Sequence, residues 1–157
     1  MKKNSTKSLK WLAGVAIFLC VASALHVTLQ GIGAIISPES FGVKWFKDLE
    51  WLQIAVLIGR MAGGIAFSVL FTLFIINSLK AFDNGILFPE CNVGILYGAA
   101  ASFFVYRFFY NNMGIAAGTE RNLLLNTDDL IVLLVLIIFA IIYKVAVQVS
   151  KENRLTI

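Results

Sequence analysis

The chain has 157 residues, 59% of them hydrophobic and 14% charged, with a formal net charge of +4 at pH 7. Its charges lie between long runs that are apolar on every side, which excludes a soluble domain built from helices with one polar face. Two cysteines, Cys20 inside a run and Cys91 in a connection, exclude a disulfide framework and a C-x-x-C metal knuckle.

Windows of about 19 residues give four spans, 11–36, 51–79, 93–110 and 130–149, near the length of about 20 residues that crosses a bilayer. The expected fold class is all-α: a polytopic membrane protein with four transmembrane helices forming a bundle, in one domain over 1–157.

Lys2, Lys3, Lys7 and Lys10 open the chain, and cationic flanks stay in the cytoplasm. Ala22-Ser23-Ala24 looks like a signal-peptidase site, but the apolar segment continues to Ile36, longer than a signal core. Cys20 follows Ile17-Phe18-Leu19, without the small residue expected before a lipidated cysteine. An uncut first helix is expected. Ser37-Pro38-Glu39 is then a helix-start signal, with Ser as cap and Pro at the first position. Phe41, Trp45, Phe46 and Leu49 recur near helical spacing among charges, as in a short interfacial helix between spans one and two. The same residues also suit a loop, with Trp45 and Trp51 in the aromatic belt.

The second span carries Gly59-x-x-x-Gly63 and Ala62-x-x-x-Ala66, and the third Gly94-x-x-x-Gly98 and Gly98-x-x-x-Ser102. Small residues four apart let helix backbones approach closely. In the 80–92 connection Gly85 and Pro89 punctuate a turn that Phe82 and Phe88 anchor at the headgroups. Thr127 is a plausible cap for the fourth helix, whose N-terminus Asp128 and Asp129 complement. Outside the spans and at their ends, eight Lys and Arg fall on the side of the termini and four opposite, which places both termini in the cytoplasm. Overlaying the inner ends of the second and fourth helices pairs Phe82 with Tyr143, Gly85 with Ala146, Phe88 with Val149 and Asn92 with Asn153, an echo that suggests a duplicated hairpin.

At these inner ends the chain resembles the YoaS-like bacterial membrane proteins, a family of unknown function with four transmembrane helices. The resemblance rests on Phe82-Asp83-Asn84-Gly85-Ile86-Leu87-Phe88 followed by Asn92-Val93, and on Glu152-Asn153-Arg154-Leu155-Thr156-Ile157 at the C-terminus. Ala146 stands where a glycine is frequent and Lys151 where an acid is frequent. The resemblance implies a four-helix protein of the bacterial cytoplasmic membrane, sometimes encoded beside a small helix-turn-helix regulator, with no established activity.

Polar residues inside the spans gather by depth. Arg60 lies about 13 Å below Trp51, His26 about 15 Å and Gln30 about 9 Å below Ile36, and Gln53, Tyr106 and Arg107 share that outer half. His26, Gln30, Arg60, Tyr106 and Arg107 are therefore the candidate polar pocket, able to take an anionic or polar small ligand, and Arg107 is within reach of Asp128 or Asp129. The bland reading, which the sequence favours, is an internal polar network or an Arg60 that snorkels to headgroup phosphates. His26 stands without a second His or an adjacent acid, so no metal site and no cofactor is assigned. No acid lies deep in any span, and no H-E-x-x-H, G-x-S-x-G or P-loop occurs, so no catalytic residue is assigned. The basic residues follow membrane topology rather than a nucleic-acid stripe.

The expectation is a non-enzymatic accessory or regulatory protein. Its partners are the lipid bilayer and a second copy, or a membrane or cytosolic protein, met by a cytoplasmic face carrying Phe82, Gly85, Phe88, Asn92, Glu152, Asn153 and Leu155. The alternative is a small oligomeric transporter or ligand-binding module that uses the polar pocket.

Overall fold

The computed structural model describes residues 2–155, with side chains from 7 to 153. In hydrocarbon a backbone has no water to bond, so an apolar run closes its hydrogen bonds within itself as a helix. Four helices are long and apolar enough to cross a membrane: α1 (Lys2–Ile36), α2 (Glu50–Asp83), α3 (Cys91–Asn111) and α5 (Thr127–Leu155). A single turn, α4 (Met113–Ala116), lies between the last two. The chain is an all-helical, multi-pass membrane protein, with no strand among the described residues. Each long helix contains its predicted span and runs past it into polar sequence.

The four helices form an open row rather than a closed ring. α1 packs on α2 and on the turn that follows α1, α2 on α3, and α3 on α5, whereas among the described residues α1 and α5 do not meet. Lys10 of α1 pairs with Asp83 at the end of α2, and Lys151 of α5 with Glu90 just before α3. Both termini therefore lie at one end of the bundle, the terminal face, and the connections 37–49 and 112–126 cover the opposite, distal face.

The α2–α3 seam is the tightest in the row, and a missing side chain makes it so. A Cβ built on Gly63 would meet the Tyr106 backbone nitrogen at 2.6 Å and the Ser102 carbonyl oxygen at 3.1 Å. At Gly59 it would strike the Phe109 ring. The Gly59-x-x-x-Gly63 pair is thus a true contact surface. Gly94 differs: nothing lies within 4 Å of its Cβ position, and only Gly98 of that pair touches a neighbour, the Leu70 side chain at 3.2 Å.

The segment after α1 does not form an interfacial helix over Phe41–Leu49. Pro38–Phe41 makes one 3-10 turn with Pro at its start, and Gly42 in the left-handed region (φ 69°) ends it. The Gly42 N–H bonds the Glu39 carbonyl and the Val43 N–H the Pro38 carbonyl, which closes the turn. The chain then runs without regular secondary structure through 43–46. Phe41 folds back so that its ring covers Gly33 of α1. The cap of α5 is likewise Asn126 rather than Thr127, since the Asn126 Oδ1 accepts the Asp128 N–H at 3.1 Å.

The paired positions of the apparent repeat occupy different settings. Tyr143 is buried between α2 and α3, whereas Phe82 is exposed; Asn92 is buried, whereas Asn153 is exposed.

The seam makes a paired prediction. Gly63→Leu forces α2 and α3 apart and costs about 1–3 kcal/mol, in line with other overpacked cores, whereas Gly94→Leu leaves stability unchanged. Thermal unfolding of both variants in detergent checks this.

Candidate functional site

The buried polar residues resolve into separate assemblies along the bundle. The distal cover is held by two amides. Gln53, fully buried one turn into α2, accepts the Phe46 N–H at 3.0 Å and donates to the carbonyls of Lys44 at 2.6 Å and Ile115 at 3.1 Å. It therefore ties both distal connections to α2 and supplies partners that the irregular 43–46 segment lacks. Around it packs an apolar cluster of Ala34, Val43, Leu52, Val56, Leu57, Ile115 and Ala116. Asn112, also fully buried, donates to the Phe108 and Leu124 carbonyls at 2.7 and 2.8 Å and accepts the Leu124 N–H at 2.7 Å. The sequence placed Gln53 only by depth and gave Asn112 no role, although a lone amide among apolar neighbours was the available signal at Gln53.

Beside them, Arg107 of α3 pairs its Nε with Asp129 Oδ1 at 3.2 Å, and Asn111 Nδ2 donates to Asp129 Oδ2 at 2.6 Å. The Asp129 side chain is 1% exposed, so this carboxylate is more than a helix-dipole complement: it fastens α5 to α3 and neutralises Arg107.

Arg60 stands apart from that pair. Its Nη2 donates to Gln30 Oε1 at 2.7 Å, across from α2 to α1. Its guanidinium carbon lies 5.3 Å from the centre of the Tyr110 ring of α3. The Arg60 Nε is buried and has no hydrogen-bond partner. Tyr106 packs on Tyr110, with ring centres 5.9 Å apart. His26, four residues from Gln30, is exposed on the outer side of α1. Of the five residues predicted to share a pocket, Gln30, Arg60 and Tyr106 lie around Tyr110, Arg107 is committed to Asp129, and His26 lies elsewhere.

From Tyr106 an aromatic column continues toward the terminal face. Ring contacts run Tyr106–Phe103, Phe103–Phe67, Phe67–Phe71 and Phe71–Phe74, with centres between 5.1 and 6.4 Å. Phe74 then meets Tyr143 edge-on at 5.8 Å, and Tyr143 meets Phe88 at 5.6 Å. The lower end is locked by Asn92, 0% exposed, whose Nδ2 reaches Ser78 Oγ at 2.8 Å and Tyr143 Oη at 3.4 Å. The Tyr143 hydroxyl in turn approaches the Pro89 carbonyl at 3.4 Å. This lock corrects one expectation: Asn92 is interior and presents nothing to a partner.

The other residues expected on that face divide by role. Gly85, at φ 73°, ends α2: its N–H bonds the Phe82 carbonyl while the Ile86 N–H bonds that of Ala81. Phe82, Phe88, Glu152 and Asn153 are exposed, and the Leu155 side chain lies outside the described residues. A groove of about 590 Å³ opens between the 84–90 connection and α5, lined by Gly85, Leu87 and Phe88 on one wall and by Ile142, Val145, Ala146, Val149, Ser150 and Asn153 on the other. Among the described residues no group of three or more His, Cys, Asp or Glu side chains could hold a metal ion.

Two outcomes follow from these assemblies. Gln53→Ala strands the Phe46 N–H and the Lys44 and Ile115 carbonyls and costs about 1–3 kcal/mol, with faster proteolysis of the 43–49 segment as the local readout. Asp129→Asn and Arg107→Gln each destabilise more than half as much as the pair together, giving a coupling of about 1–3 kcal/mol in a double-mutant cycle. Comparison of the chain with protein-family models, with curated proteins and with solved structures finds no match.

Proposed function

We propose that this chain is a non-enzymatic accessory or regulatory protein of a bacterial cytoplasmic membrane, with its terminal face inside the cell. The eight cations near that face against four opposite support the orientation. The observation that carries the role is the groove between the 84–90 connection and α5. It gathers Gly85, Phe88 and Asn153, which the sequence brings forward from two distant segments, into one concave surface.

Its shape fits the end of a membrane helix of a protein partner. From Ile142 to Asn153 the groove runs about 16 Å, three helical turns, and its α5 wall passes from apolar Ile142, Val145 and Val149 to polar Ser150 and Asn153. A helix leaving the bilayer has the same gradient. The resemblance to the YoaS-like proteins belongs to this proposal, because its first segment supplies one wall and its second contributes Asn153 to the other. The transporter reading has less to stand on: Arg107 is neutralised by Asp129 and His26 is exposed, so the polar layer is not one pocket.

A photo-crosslinking residue at Val149 tests the role. It is expected to trap one discrete membrane protein, and the adduct to disappear in Ala146→Trp, which fills the groove, but to persist in Ala22→Trp on exposed α1. An adduct unaffected by Ala146→Trp, or no protein adduct in a correctly inserted chain, overturns the reading.

A further inference from the structure

We propose that Arg60 holds the phosphate of an anionic lipid from the leaflet beside the distal face, with an acyl chain laid along the upper aromatic column. This goes beyond the docking role, since it concerns the opposite half of the bundle.

The argument begins with charge. Among the arginines whose side chains are described, Arg107 pairs with Asp129 and Arg121 with Asp48, while Arg60 hydrogen-bonds only the neutral Gln30 amide. A guanidinium carries five N–H donors in a planar fork, and leaving them unmet inside a bilayer is costly. The buried Nε of Arg60 has no acceptor at all. The residue as a whole is only partly buried. A second cation would be repelled, and a neutral headgroup supplies no compensating charge. A phosphate oxygen pair matches the fork in both sign and geometry.

Position selects a lipid rather than a dissolved anion. α2 begins at the distal face with Glu50, and Arg60 lies about 15 Å along it. Helical side chains lean toward the N-terminus, which here is the distal headgroup region, so the guanidinium reaches outward. Tyr110, 46% exposed, walls it on the α3 side. Tyr106, Phe103 and Phe67, each still partly exposed, continue the wall toward mid-bilayer, with Phe67 about 10 Å beyond Arg60 along α2. A charged head next to a long apolar wall is complementary to an amphiphile with one anionic end. Inorganic phosphate would use only the upper end.

The full-length protein in a neutral detergent, titrated with phosphatidylglycerol or with phosphatidylcholine of the same chains and read by native mass spectrometry, tests this. The wild type is expected to bind one phosphatidylglycerol at least tenfold more tightly than phosphatidylcholine, and millimolar inorganic phosphate is expected not to displace it. Arg60→Gln removes the preference. Tyr110→Leu, which leaves the cation and the helix ladder in place, weakens phosphatidylglycerol several-fold with phosphatidylcholine unchanged. Lys47→Gln, an exposed charge on the same face, changes neither. Equal binding of the two lipids by the wild type overturns the proposal without any variant. So does an undiminished preference in Arg60→Gln or, should that variant not fold, in Tyr110→Leu. Displacement by inorganic phosphate assigns the site to a soluble anion and overturns the lipid.

Discussion

The structure depends on the close approach of α2 and α3 at Gly63. Between helices in lipid no hydrophobic drive exists, because the acyl chains are as apolar as the side chains they would replace. What remains is surface contact, and contact needs backbones that can come near. With the Tyr106 nitrogen only 2.6 Å from where a Cβ would stand, Gly63 sets both the spacing and the rotation of the two helices. That rotation aligns Phe67 with Phe103, sets Arg60 beside Tyr110 and lets Asn92 reach Ser78. α1 and α5 are then added to the sides of a fixed pair.

The polar groups obey a second constraint, that each buried donor or acceptor finds a partner. Gln53 and Asn112 satisfy backbone that is neither helix nor strand, which is how the irregular parts of the distal connections can pack against the bundle. Asp129 is affordable in its buried position because both oxygens are engaged, one by Arg107 and one by Asn111. Arg60 departs from this rule, since its buried Nε has no hydrogen-bond partner while its Nη2 holds Gln30.

The helices were legible because lipid makes the requirement so simple: a long apolar run has one way to satisfy its backbone. Gly63 was legible too, although Gly94, with the same spacing, faces open space. Spacing gives the motif but not the rotation of the helix that carries it. The same gap explains why His26 and Gln30, four residues apart, end on different surroundings: depth can be counted along a chain, while azimuth is set by a neighbour. The 41–49 segment was ambiguous for another reason. Its helix-like spacing lost to a local competitor, the Gln53 side chain, which offers irregular backbone the hydrogen bonds a helix would have made.

The row has a consequence for how the chain comes to be built. Each long helix packs on the one made just before it, α2 on α1, α3 on α2 and α5 on α3. Most of the helical row can therefore assemble in the order of synthesis. Two ties cut across that order: Gln53 waits for Ile115 and Ala116, and the Phe74 ring of α2 waits for Tyr143 of α5. Until α4 emerges, the Gln53 amide and the segment it organises stand incomplete, and the distal surface is the last part of the α1–α4 unit to acquire its final shape.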